Sequence, residues 1–191
     1  ALQWAESFPD SMSGIVVAMS SIWPPAAQEP PEAIYRRFEK NPNWNGGRFY
    51  ETGGVYEDLL ALRVQTLRNY GAESRLMTLM PDVNDREAAL HRLAAPWARK
   101  FDPHSLVILL KAISAGSIAA NLARINAKVF YVLSTTDRYF PASMAPKVLS
   151  AFRNAGVDVT YFELDSPNGH QASHVDADKW APHLRRFLAA L

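Results

Sequence analysis

Apolar positions recur along the chain with two different periods, and the switches between them mark out its parts. Ala1, Leu2, Trp4, Ala5 and Phe8 fall at helical spacing, and Pro9-Asp10 ends that run. No Ser, Thr, Asp or Asn precedes them to satisfy the first amides of a helix, so the sequence reads as opening inside one. Gly14-Ile15-Val16-Val17-Ala18-Met19 is a short unbroken apolar run, the pattern of a strand buried on both faces of a parallel sheet. From Pro24 to Ser114 the pattern is helical throughout, entered through proline pairs at positions 24–25 and 30–31. Helices are predicted over residues 31–40, 55–70, 85–100 with an interruption at Pro96, and 103–115. From Ala127 the short period returns: strand 128–133, helix 142–155, strand 158–164 and a terminal helix 177–191.

This βαβα series predicts an α/β core of parallel strands with flanking helices, formed by residues 1–23 and 115–191, with residues 24–114 inserted as a helical lid. In such sheets ligands collect at the carboxyl ends of the strands. Two of those ends carry chemistry. The first continues as Ser134-Thr135-Thr136-Asp137-Arg138-Tyr139-Phe140-Pro141, which places a carboxylate a few residues past a buried strand. By itself an Asp there is as readily a turn former or a cap. The second continues as Asp165-Ser166-Pro167-Asn168-Gly169-His170 and delivers an imidazole just past the last strand. Neighbouring parallel strands would bring Asp137 and His170 together, and a carboxylate that orients an imidazole makes a general base.

Asp before His is also the chain order of an α/β-hydrolase triad, whose Ser comes first on a G-x-S-x-G elbow. No such elbow occurs: Ser11, Ser13 and Ser20 lack the flanking glycines. The nucleophile is therefore expected on polypeptide outside this chain. The alternative is a binding or structural module, or an inert fragment, that never meets a serine.

Composition narrows the partners. The 191 residues carry 20 basic and 19 acidic side chains, and a net charge of +1 gives no reason to expect nucleic acid or an anionic membrane surface. There is no cysteine, which excludes disulfides and thiolate metal sites, and the longest apolar runs fall far short of a membrane span. A small or neutral substrate and a cytoplasmic location fit these absences. His170 and His174 sit four apart, but no third ligand is placed beside them and His91, His104 and His183 lie in helical patterns, so no metal is expected.

Four stretches resemble the homoserine O-acetyltransferase family and its esterase and acyltransferase relatives. Residues 1–10 resemble the helix that follows the family's nucleophile elbow. Asn41-Pro42-Asn43-Trp44-Asn45-Gly46-Gly47-Arg48-Phe49-Tyr50 resembles its Asp-Pro-x-Trp-x-x-Gly-x-Tyr loop. Leu60 to Tyr70 resembles a lid helix whose Arg and Tyr, here Arg63 and Tyr70, hold the substrate carboxylate. Residues 165–170 resemble the stretch bearing the catalytic His. The resemblance implies the C-terminal half of an α/β-hydrolase, with Asp137 and His170 catalytic and Arg63, Tyr70 and Gln171 at the substrate. It implies no bound cofactor, with acetyl-CoA admitted as an acyl donor. It leaves hydrolysis and transfer both open, because the Asp that follows the catalytic His in the family's acetyltransferases is Gln171 here. Amphipathic helices at residues 55–70 and 85–100 would suit a homodimer.

Overall fold

A computed structural model describes residues 1–25 and 29–191; residues 26–28, near the start of the expected helical insertion, lie outside the described residues. The chain forms two compact units. The first comprises Ala1–Pro25, Asn69–Gly71 and Ser117–Leu191, the second Ala26–Arg68 and Ala72–Gly116. The short return of Asn69–Gly71 to the first unit left no mark in the pattern of polar and apolar positions.

The first unit is built on strands β1 (Gly14–Ala18), β2 (Lys128–Ser134) and β3 (Val159–Leu164), all parallel, in the order β1-β2-β3. From Val129 to Ser134 every residue of β2 is buried, which is why that strand reads as one apolar run and not as an alternation. Its odd-numbered residues Val129, Tyr131 and Leu133 pack with Ile15 and Val17 of β1 and with helices α1 (Leu2–Ser7) and α7 (Ala145–Asn154). Its even-numbered residues Phe130 and Val132 pack on the other face with Leu164 and with Phe187 of helix α9 (Ala177–Ala189). Phe130 and Phe187 stack with centroids 5.4 Å apart. The expected helix over 142–155 begins with a tight 3₁₀ turn, Ala142–Met144, because Pro146 sits in the first α-helical turn where its missing amide is not needed. A four-residue helix α8 (Ala172–Val175) precedes α9.

The second unit has its own core. Helices α2 (Pro31–Glu39), α3 (Tyr56–Asn69), α4 (Ala72–Leu79), α5 (Val83–Ala98) and α6 (Pro103–Ala115) surround Phe38, Leu90 and Ala94, none of which reaches solvent. Trp44 stacks between Phe38 and Phe49 at 5.5 and 5.3 Å, so the loop over residues 41–50 is held by aromatic packing. Asp82 and Asp102 accept the first amides of α5 and α6, as good N-caps do.

Two helical expectations change. Pro96 does not interrupt α5, which runs on to Ala98. Proline removes one hydrogen bond, but it does so in the last turn, and packing outweighs the loss there. Ala98 is buried, and Trp97 stacks on Phe101 at 4.5 Å. Residues 72–79, which lie between the predicted helices 55–70 and 85–100, form the separate helix α4, because Gly71 at φ +90° breaks away from α3. No helix among the described residues is long and apolar enough to cross a membrane.

Phe152 fills the space between α7 and Tyr131 and has no exposed surface. Phe152→Ala should lower unfolding stability by about 3–5 kcal/mol. Urea titration would show it as a lower midpoint at unchanged slope.

Candidate active site

The register that pairs Ser134 with Leu164 brings β2 and β3 to an end side by side, and Thr135 adds one more rung by donating its amide to the Leu164 carbonyl. The two chains therefore leave the sheet as neighbours. Asp137, three residues past β2, has a side chain with no exposed surface. Its Oδ1 accepts the backbone amides of Tyr139 at 2.8 Å and Phe140 at 3.2 Å, closing the turn around the carboxylate. Its Oδ2 lies 2.9 Å from Nδ1 of His170, which follows β3 in the 3₁₀ turn Gly169–Gln171. A carboxylate only accepts, so this contact assigns the proton to Nδ1 and leaves the Nε2 lone pair available to take another. The imidazole side chain is 24% exposed.

The loop that carries His170 is held by its own polar groups. Thr136 Oγ1 donates to the Ser166 carbonyl at 2.6 Å and accepts the Gly169 amide at 3.0 Å, so one hydroxyl joins both loops. Ser166 Oγ donates to Asp176 Oδ2 at 2.5 Å and accepts the Asn168 amide at 3.0 Å; the Asn168 side chain adds a 2.7 Å bond to the same carboxylate oxygen. These bonds from Ser166 and then Asn168 hold the Asp176 carboxyl below the usual carboxylate range, against a smaller opposing effect of burial. Aromatic rings surround the imidazole, with centroids at 4.8 Å for Tyr70, 5.4 Å for Tyr139 and 5.9 Å for Phe140.

Of the residues singled out in the sequence, the structure brings together Asp137, His170 and Tyr70, with Gln171 next in the turn and partly exposed. Arg63 lies on α3 in the helical unit, with its guanidinium 5.3 Å from the centre of the Trp97 ring. His174 is exposed on α8, and among the described residues no group of three or more His, Asp or Glu is placed to hold a metal ion. Sequence reasoning missed Thr136, Ser166, Asn168 and Asp176 as supports of the imidazole. The first three lie inside the stretches that carried the two key residues, but only the fold shows that they converge.

A parallel sheet whose adjacent strand ends deliver a hydrogen-bonded Asp and His has the architecture of the α/β-hydrolases, and comparison with known proteins agrees. The chain superposes on the homoserine O-acetyltransferase of Bacillus anthracis with a TM-score of 0.82 at 18% identity, over 97% of this chain and 56% of that one. It superposes on a solved esterase at 0.81 and 17% identity, over 98% of this chain and 57% of that one. In sequence it is similar to homoserine O-acetyltransferases, being 29% identical to that of Haemophilus influenzae across 99% of this chain and 58% of the relative. No family model matches the sequence. The chain thus spans little more than half the length of the relatives it resembles.

Because Asp176 is held ionised, its contribution to stability is complete above the unfolded carboxyl value of about 3.9 and is lost as pH falls through the lower folded value. Asp176→Asn should therefore destabilise the chain by about 1–3 kcal/mol at neutral pH, and the gap should close in strong acid. Urea midpoints across that range would reveal a wrong assignment if the gap widened instead.

Proposed function

We propose that this chain is part of an acyl-ester-processing enzyme, an esterase or O-acyltransferase that works through a Ser-His-Asp triad whose serine is supplied by polypeptide outside these 191 residues. The 2.9 Å contact between Asp137 and His170 Nδ1 carries the reading. In it, His170 Nε2 takes the proton of the serine hydroxyl as that oxygen attacks the ester carbonyl. The imidazolium so formed is stabilised by buried Asp137 and returns the proton to the departing alcohol oxygen, leaving an acyl-serine. Water or a second alcohol then releases the acyl group by the same proton relay in reverse. Tyr70, Gln171 and Arg63 are assigned to the substrate, and acetyl-CoA is a candidate donor.

Gln171 bears on the choice of acceptor. A neutral amide can hydrogen-bond an ammonium but cannot neutralise it, so a charge-assisted bond is lost. Water or another alcohol is accordingly as good a candidate acceptor as homoserine.

The test uses protein that includes the serine-bearing polypeptide and an activated acetyl ester. An initial burst of alcohol, with acetyl found on one serine by mass spectrometry, is expected, and His170→Ala or Asp137→Asn should each reduce turnover roughly 10⁴-fold. No burst, together with full activity in the His170 variant, would leave the non-catalytic module as the better reading.

A further inference from the structure

Outside the proton relay, the feature least explained is a backbone crossing beside His170. The turn Asn69–Gly71 packs within the sheet-bearing unit although the chain before and after it belongs to the helical one. Gly71 has φ +90°, and a Cβ there would meet the Asn168 carbonyl oxygen at 3.2 Å. Gly169 has φ +57°, and a Cβ there would lie 2.8 Å from the Tyr70 carbonyl oxygen and 3.3 Å from the Gly71 Cα. Two main chains thus touch at a point where a side chain would collide at Gly169 and be crowded at Gly71, and where each adopts a conformation that favours glycine. One of the touching residues immediately precedes His170. On the same turn the Tyr70 ring lies 4.8 Å from the imidazole at an interplanar angle of 33° and also meets Tyr139 edge-on at 5.4 Å.

We propose that Asn69–Gly71 is a positioning element for His170: the Gly71–Gly169 crossing fixes the main chain that carries the imidazole, and the Tyr70 ring fixes its plane, so that Nδ1 stays on Asp137. This rests on the reading of His170 as the proton carrier, and it gives Tyr70 a role distinct from contact with substrate. The polar network of Thr136, Ser166, Asn168 and Asp176 holds the loop up to Gly169, and the turn supplies the restraint on the ring itself. A ring left to rotate would spend part of its time with Nε2 off the reaction line, and small misplacements of this kind lower rates on the order of 10–100-fold.

Proton NMR of the full chain tests this without requiring turnover. The Nδ1 proton bonded to Asp137 should give a slowly exchanging downfield resonance, assigned by its loss in Asp137→Asn. It should persist in Tyr70→Phe and be broadened or lost in Gly71→Ala, Gly169→Ala and Tyr70→Ala. Gly156→Ala is the control, because Gly156 shares the positive φ at +77° but has open space around it and lies in the turn before β3. Backbone strain alone would affect it equally, so loss of the resonance in that variant too would overturn the proposal. An undisturbed resonance in Gly71→Ala and Gly169→Ala would also overturn it, while leaving the Asp137–His170 reading intact. If the glycine variants do not fold, the Tyr70 pair decides: a resonance kept in both Phe and Ala variants refutes the role of the ring. A wild-type chain without the resonance sinks the proton-carrier reading and this inference together.

Discussion

The parallel pairing of β2 with β3 sets Ser134 level with Leu164, and the chemistry of the site follows from that register. Because both strands run the same way, both continue from the same edge of the sheet, and Asp137 and His170 emerge as neighbours although 33 residues separate them in sequence. Moving the pairing by one residue would turn every side chain of β3 to the opposite face and carry the His170 loop with it. Val129–Ser134 of β2 are buried throughout, and the two faces of the strand serve two separate apolar clusters.

Within that frame the carboxylate and the imidazole are held by different means. Asp137 is fixed by the backbone of its own turn, with two amides on one oxygen, so the other oxygen faces His170 with little freedom. His170 depends on a loop of turn-forming residues whose Ser166 hydroxyl and Asn168 side-chain amide converge on Asp176, while its Ser166 carbonyl and Gly169 amide meet the Thr136 hydroxyl. Charged and neutral bonds are combined here, and the ionised Asp176 is the member whose loss would slacken several contacts at once.

The strongly periodic parts of the fold were legible in the sequence because one physical cause dominated each. The unbroken apolar run of β2 reflects burial on both faces, and the alternation of strand and helix after Ala127 reflects a single parallel layer. Asp137 and His170 were readable for a related reason: position after a buried strand nearly determines where a side chain goes. What escaped was whatever depended on contacts between distant segments. The continuity of α5 through Pro96 rests on the stacking of Trp97 with Phe101 and on burial of Ala98, neither of which a rule about proline contains. The meeting of Gly71 with Gly169 unites turns almost a hundred residues apart, and each glycine taken alone is ordinary turn chemistry. The convergence of Ser166 and Asn168 on Asp176 was hidden for the same reason.

Gln171 stands beside His170 yet its side chain takes no part in the bonds that secure the loop; only its main-chain amide does, donating to the Asn168 carbonyl at 3.1 Å. The bonds that hold the neighbouring imidazole are therefore made without the side chain at position 171. Adjacent residues thus answer to separate constraints: position 170 is tied to Asp137 through its ring, whereas position 171 serves the turn through its main chain alone and leaves its side chain open to change.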